Sequence, residues 1–296
     1  MKNLSTLLFL FACSLTLLAQ PKTVVFQTDF GLKDGAVSAM KGVAMGVNPN
    51  VRLFDLTHEI PAYNIWEAAY RLEQTAPYWP KGTVFVSVVD PGVGTERKSV
   101  VLKTKSGHYF VGPDNGSFTL IAESLGIQEV HEIDEALNRR RNSQSSYTFH
   151  GRDVYAYTAA RLAAGVITLA QVGKRLPNEV VKIPFQKPVF EGNTIVGNIP
   201  ILDVQYGNIW TNISADLFKK LNIAAGQKVK ITVWQNDKLI FNGEMPFANT
   251  FGEVPEGQPM AYLNSLMNLS FALNMGDFSS KYGVKSGPEW KVKVER

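Results

Sequence analysis

Between Thr23 and about Gly173, short apolar runs alternate with longer amphipathic ones, and that alternation leaves this chain few folds to choose from. Thr23 to Phe26 reads as a buried strand, Gly35 to Met45 as a helix, Val51 to Asp55 as a strand, Trp66 to Tyr78 as a helix and Thr83 to Val89 as a strand. Strands separated by helices predict a parallel sheet covered on both faces. Tyr109 to Val111 and Val130 to Ile133 add expected strands, and Val154 to Ala164 an expected helix. The pattern changes near Pro184 to Pro188. From there, β-rich runs at Thr194 to Ile199, Lys228 to Trp234, Lys238 to Phe241 and Met260 to Leu263 follow one another with Gly and Asn turns, as in an antiparallel barrel or sandwich.

The first twenty residues differ in kind. Lys2 precedes an apolar stretch from Leu7 to Leu18 that is short for a bilayer span and ends at Ala19, the pattern of an export leader. The expected organisation is therefore a leader over 1–20, an α/β domain over 21–183, a linker over 184–193 and a β domain over 194–296, with the mature protein exported to the periplasm. Leu10-Phe11-Ala12-Cys13 loosely resembles a lipoprotein box, which would instead anchor the chain through Cys13. Cys13 is the single cysteine, so cleavage beyond it leaves neither disulfides nor a thiol nucleophile. At 45% hydrophobic and 19% charged the composition is globular. The net charge of +4 is spread along the chain. The one basic burst, Arg139-Arg140-Arg141, reads as a solvated loop, since no aromatic interleaving marks it as a nucleic-acid patch.

In an open α/β sheet, ligands bind beyond the carboxyl ends of the strands. Three strand ends carry carboxylates there: Thr28-Asp29-Phe30-Gly31, Asp55-Leu56-Thr57-His58 and Asp90-Pro91-Gly92-Val93-Gly94-Thr95-Glu96-Arg97. Gly92 and Gly94 permit a sharp turn and close approach to a ligand. Asp55 reads as a turn or cap residue. Asp29-Phe30-Gly31 mimics a kinase triplet without the accompanying phosphate loop, Gly92-Val93-Gly94 lacks the third glycine of a dinucleotide fingerprint, and no Walker motif occurs. The histidines, His58, His108, His131 and His150, show no metal-ligand spacing, so no metal is expected. His150 sits beside glycine before an expected helix; on its own it reads as structural.

Taken together, six segments resemble the family of S-adenosylmethionine hydroxide adenosyltransferases and their fluorinating and chlorinating relatives. They are Thr28-Asp29-Phe30-Gly31 with Met40-Lys41-Gly42-Val43; Asp55-Leu56-Thr57-His58; Val88 to Arg97; Gly112-Pro113-Asp114-Asn115-Gly116; Phe149-His150-Gly151-Arg152-Asp153; and Tyr206 to Ile213. The resemblance implies a Rossmann-like, sandwich-like α/β domain followed by an antiparallel β-barrel, and a homotrimer with active sites between neighbouring subunits. It implies hydrolysis of S-adenosylmethionine to adenosine and methionine, without cofactor or metal, with Asp90, Arg97 and His150 around the attacking water. The halogenating relatives carry Tyr in place of Asp90 and a longer insertion after Arg97, which favours water over halide here. The resemblance further implies that Asp29 grips the ribose hydroxyls and that Tyr63 packs near ribose and sulfonium. It gives Asp203 the methionine ammonium, Tyr206 and Asn208 the adenine, and Ser265 the methionine carboxylate. Leu266 and Leu273 stand where the fluorinating relatives have arginines. An exported adenosyl-binding protein without catalysis and a halide-dependent transferase are the competing expectations.

Overall fold

The computed structural model describes residues 23–296; the expected leader and Cys13 lie outside them. The described chain divides into two compact units, one comprising residues up to Asn64 together with Thr75–Val180, the other Ile65–Gln74 with Val181–Arg296. Among the described residues, no helix is long and apolar enough to cross a membrane.

In the first unit the strands are β1 (Thr23–Thr28), β2 (Arg52–Thr57), β3 (Val84–Val88), β4 (Ser99–Thr104), β5 (Tyr109–Pro113), β6 (Ile127–Glu132) and β7 (Arg175–Leu176). They form one sheet in the order β2-β1-β3-β5-β4-β6-β7. The β2-β1-β3-β5 part is parallel, as the βα alternation predicts. Beyond it the sheet turns antiparallel, because β4 runs into β5 through a tight turn at Ser106-Gly107 and pairs with β6 on its other side. The wholly parallel sheet is therefore corrected to a mixed one. The helices of the chain begin with α1 (Ala36–Val47), α2 (Ile65–Thr75), α3 (Thr119–Ser124), α4 (Glu135–Asn138) and α5 (Tyr157–Ala163).

Strands β1 and β3 are buried along their whole length, which explains their near-continuous apolar sequences. Their side chains meet Met40 and Ala44 of α1 and Val154, Ala156, Ala159 and Ala160 in one apolar cluster. Alanines at the last two positions let α5 lie close to the sheet. The segment Gly151–Ala156 leading into α5 is a π-helix, a wider winding that often marks a functional site.

In the second unit the strands are β8 (Val189–Glu191), β9 (Thr194–Ile199), β10 (Ile201–Asp203), β11 (Asn208–Ser214), β12 (Lys228–Gln235), β13 (Lys238–Pro246), β14 (Pro259–Leu263), β15 (Asn268–Leu273) and β16 (Gly287–Glu295), with short helices α6 (Ala215–Phe218) and α7 (Phe278–Tyr282). They make two antiparallel sheets, β10-β11-β15-β14 and β13-β12-β16-β9-β8. Alternate residues such as Ile209, Phe271, Ile231 and Val292 from both sheets share one core. Among the described residues this is a pair of open sheets rather than the expected closed barrel. The outer strands, β10 and β14 of one sheet and β13 and β8 of the other, share no ladder that would close them into a barrel.

Candidate active site

Strand β1 ends at Thr28 and β3 at Val88, so the residues that follow, Asp29 and Asp90, emerge side by side at the carboxyl edge of the parallel strands. A cleft of roughly 230 Å³ opens there, lined by Asp29, Phe30, Ala62, Tyr63, Val88, Asp90, Val93, Thr148, Phe149, His150 and Gly151.

The Asp90–Arg97 segment folds back on itself. Val93 N–H donates to Asp90 O and Thr95 N–H to Gly92 O, and Gly94 adopts φ +79°, a conformation that a side chain would strain. The double turn returns Arg97 to Asp90. Arg97 Nε lies 3.0 and 3.1 Å from the two carboxylate oxygens and Nη2 2.6 Å from Oδ2, while Nη1 donates to Ser99 Oγ at 3.0 Å. Both side chains are buried, 12% and 5% exposed, so the pair is held where water screens it little. Burial works against the guanidinium charge, yet hydrogen bonding to Asp90 raises Arg97 above its ordinary value, helped by charge coupling to Tyr155, Asp90 and Glu135.

Asp29 is fixed from another direction. Tyr63 N–H donates to Asp29 Oδ2 at 2.9 Å, and Tyr63 stands at φ +67° with an exposed ring. An aromatic residue in the left-handed region is an outlier of the kind that clusters at binding sites. The Asp29 loop is further tied to the end of β2, where Thr28 Oγ1 meets His58 Nδ1 at 2.8 Å and Gly31 N–H donates to His58 O. His58 Nε2 reaches Asp55 Oδ1 at 2.9 Å, and Lys41 Nζ reaches Asp55 Oδ2 at 2.6 Å. Asp55 is thus an ion-pair node buttressing the loop, not the turn or cap residue expected from sequence. The Lys41 and His58 bonds lower its carboxyl although burial pushes the other way.

His150 is buried at the entrance to the π-helix, and a Cβ on its neighbour Gly151 would meet Val88 at 3.3 Å and Met40 and Phe30 at 3.5 Å. Its Nε2 lies 3.5 Å from Glu135 Oε1 and 3.1 Å from Arg139 Nη2, while Nδ1 has no hydrogen-bond partner among the described residues. Glu135 and Arg139 were not anticipated. They come from α4 and the residue after it, a four-residue helix with no recognisable motif. The basic burst read as a solvated loop is corrected here: Arg139 is only 7% exposed and Arg140 pairs with the fully buried Asp153, leaving Arg141 to solvent. The other histidines are bonded internally, His108 to Ser106 and Trp79 O, His131 to Gly173 O and Glu129. Among the described residues, no three His, Cys, Asp or Glu side chains converge as a metal-binding group would require.

The first unit therefore brings together Asp29, Tyr63, Asp90 and His150 around one cleft, with Arg97 behind Asp90. The remaining four candidates belong to the second unit. Asp203 ends β10, and the turn after it returns Tyr206 and Gly207 N–H to Asp203 O. Asn208 Nδ2 then donates to Asp203 Oδ2 at 3.2 Å. Gly207 adopts φ +66°, and a Cβ there would collide with the Asp277 carboxylate. Tyr206 projects into solvent with 66% of its surface exposed. Ser265 is exposed in the turn joining β14 to β15. Leu273 is part of the second unit's core.

Residues 24–173 match the SAM hydroxide adenosyltransferase N-terminal domain and residues 197–291 its C-terminal domain. The chain belongs to the SAM hydroxide adenosyltransferase family. Among members of this family and their relatives, it is 42% identical to an (R)-S-adenosyl-L-methionine hydrolase of Methanocaldococcus jannaschii, over 65% of this chain and 67% of that protein. It is 30% identical to a fluorinase of Nocardia brasiliensis, over 92% and 96%. An uncharacterized conserved protein from Thermotoga maritima shares the fold with a TM-score of 0.85 at 37% identity, over 92% of this chain and all of that one.

Proposed function

We propose that this adenosyltransferase-family chain hydrolyses S-adenosylmethionine to adenosine and L-methionine. One observation carries the reading: a cleft at the strand ends brings together a carboxylate locked by a guanidinium, Asp90 with Arg97, and the imidazole of His150. The sulfonium already makes methionine a good leaving group, so no general acid is required. What the protein must supply is an oriented nucleophile and an acceptor for its proton.

In the proposed reaction the water oxygen bonds to C5′ as the C5′–S bond breaks. The bonding pair passes to sulfur, which leaves as the neutral thioether of methionine, and one water proton passes to the protein. Asp90 and His150 accept hydrogen bonds from the water and act together in taking that proton, while Arg97 orients the Asp90 carboxylate. Asp29 holds the ribose hydroxyls and Tyr63 packs by the ribose and sulfonium. Asp203 takes the ammonium, Tyr206 and Asn208 the adenine, and Ser265 the carboxylate. The hydrolase relative is named for the (R) sulfonium, so that epimer is the first substrate to test.

The fluorinase relative motivates a second reading, halide as nucleophile. The buried Asp90 carboxylate opposes it, since an anion beside the attacking position repels halide but accepts a hydrogen bond from water. Product chromatography with each sulfonium epimer, with and without fluoride or chloride, tests the reading. Adenosine and methionine formed independently of halide and of chelator support it. A 5′-halo-adenosine would favour the halide reading, and intact bound substrate would favour a binding protein.

The same reading includes a homotrimer, measurable by light scattering, and export of the chain after loss of residues 1–20. The mass of the mature N-terminus distinguishes a free periplasmic form from one lipidated at Cys13.

A further inference from the structure

Behind the Asp90–Arg97 pair stand two hydroxyls that the hydrolase reading leaves without a role. A guanidinium has five N–H groups in one plane, set in fixed directions. Asp90 takes the edge formed by Nε and Nη2. The opposite arm, Nη1, donates to Ser99 Oγ at 3.0 Å, and Ser99 Oγ lies 3.1 Å from the Tyr155 hydroxyl. Ser99 opens β4, where Ile133 N–H donates to its carbonyl, so its hydroxyl stands on a strand of the sheet. Tyr155 is fully buried in the apolar cluster with Val101 and Val154, and Arg97 Cζ lies 5.8 Å from its ring centroid. Phenylalanine would fill that place with no polar atom to satisfy. A buried hydroxyl costs free energy unless it is hydrogen-bonded, and here the partner is Ser99.

We infer that Ser99 and Tyr155 are positioning residues for the hydrolysis: the Ser99 hydroxyl, braced by that of Tyr155, pins the far edge of the Arg97 guanidinium, so that its near edge holds the Asp90 carboxylate at one angle to the attacking water. The inference rests on the hydrolase reading and deepens it. Pairing with Asp90 fixes one edge only, and the guanidinium plane can still rock about that edge because a long arginine side chain has many rotamers. A contact on the opposite edge removes that motion, and rates are sensitive to misplacements of about 1 Å in a reacting group. Tyr155 gives the contact a second use. It lies in the π-helix Gly151–Ala156 that follows His150, its ring 6.3 Å from the His150 ring, so one residue ties the Asp90–Arg97 pair to the segment that carries the imidazole.

The test measures kcat, KM and melting temperature with S-adenosylmethionine for Ser99→Ala, Tyr155→Phe, Arg97→Lys and the double variant Ser99→Ala/Arg97→Lys. Ser99→Ala is expected to lower kcat about 10- to 100-fold with KM little changed, and Tyr155→Phe, which removes only the brace, to lower it less. Arg97→Lys leaves one nitrogen, which Asp90 claims, and no arm for Ser99. In that background Ser99→Ala should therefore lower kcat no further, the non-additivity expected of groups that act through one another. A merely structural serine would cost the same factor in both backgrounds, or lower the melting temperature with kcat unchanged; either result would overturn the inference. The side-chain 15N signals of Arg97, identified by their loss in Arg97→Lys, give a readout without turnover: the two Nη nitrogens should be distinct in the wild type and merge in Ser99→Ala. A wild type that makes no adenosine but shows that merging would defeat the hydrolase reading while supporting the pinned guanidinium. Unmoved Nη signals would overturn the inference with or without turnover.

Discussion

Tyr63 donates its backbone N–H to the Asp29 carboxylate at 2.9 Å from a backbone φ of +67°. The bond fixes the carboxylate at the end of β1, and the conformation costs about 1–3 kcal/mol, which neighbouring structure must offset. Strain at this place is consistent with selection for ligand geometry over local stability. The strain and the ring can be separated by experiment.

Glycine tolerates this conformation, so Tyr63→Gly is expected to leave thermal stability unchanged or higher while raising KM about tenfold through loss of the ring. A marked fall in melting temperature would show that the ring itself, and not ligand binding, justifies the strain.

Asp29 itself should act on binding rather than on chemistry. Hydrogen bonds to a charged group contribute about 1.5–3 kcal/mol, so Asp29→Ala should raise KM by about 10- to 100-fold with kcat within a few-fold of wild type. Steady-state kinetics check this; a loss confined to kcat would contradict the ribose assignment.

The Asp90–Arg97 pair is buried, and removing one partner strands the other charge. Arg97→Ala is expected to destabilise the protein by about 3 kcal/mol and to lower kcat, whereas Arg97→Lys retains charge but not the fork that meets both carboxylate oxygens, giving an intermediate loss. Urea unfolding alongside turnover would reveal a discrepancy if Arg97→Ala unfolded like the wild type.

Glu135 also gives a pH signature in stability. Its folded-state pKa, about 2, lies below the ordinary 4.5, so its contribution is complete above about pH 4.5 and fades as pH falls towards 2. The side chain is 37% exposed, which reduces the effect through solvent screening. Urea midpoints of wild type should therefore fall more steeply over that window than those of Glu135→Gln; parallel curves would show that the pairing with His150 and Arg139 contributes nothing.

In the second unit, Gly207→Ala should lower the melting temperature by several degrees, because a Cβ there meets the Asp277 carboxylate and φ +66° disfavours it. Asp203 and Asn208, either side of that turn, would shift with it. An unchanged melting temperature would mean the turn relaxes at no cost.

The strand ends were legible in the sequence because a buried parallel strand announces itself as an apolar run, and its carboxyl end is where a ligand can sit; Asp29 and Asp90 follow directly. Strand β4 was not anticipated: Ser99–Thr104 enters a hairpin, and nothing in its composition distinguishes an antiparallel neighbour from another parallel one. Asp55 was misjudged for a different reason. A cap and an ion-pair node look alike until Lys41 and His58 are placed beside it. Glu135 and Arg139 were illegible because their importance depends on His150 arriving from 11 to 15 residues away, and charge density alone reads as solvated surface. The open sheets of the second unit were illegible because strand propensity does not say which edge strands pair with each other.

The central claim is that water attacks C5′. Turnover of the (R) epimer in H2 18O tests it most directly, with adenosine analysed by mass spectrometry. The 5′-hydroxyl should carry one labelled oxygen, and Asp90→Ala should lower its formation by about 10²- to 10⁴-fold while still binding substrate. Unlabelled adenosine, or labelled product formed at the wild-type rate by Asp90→Ala, would contradict it.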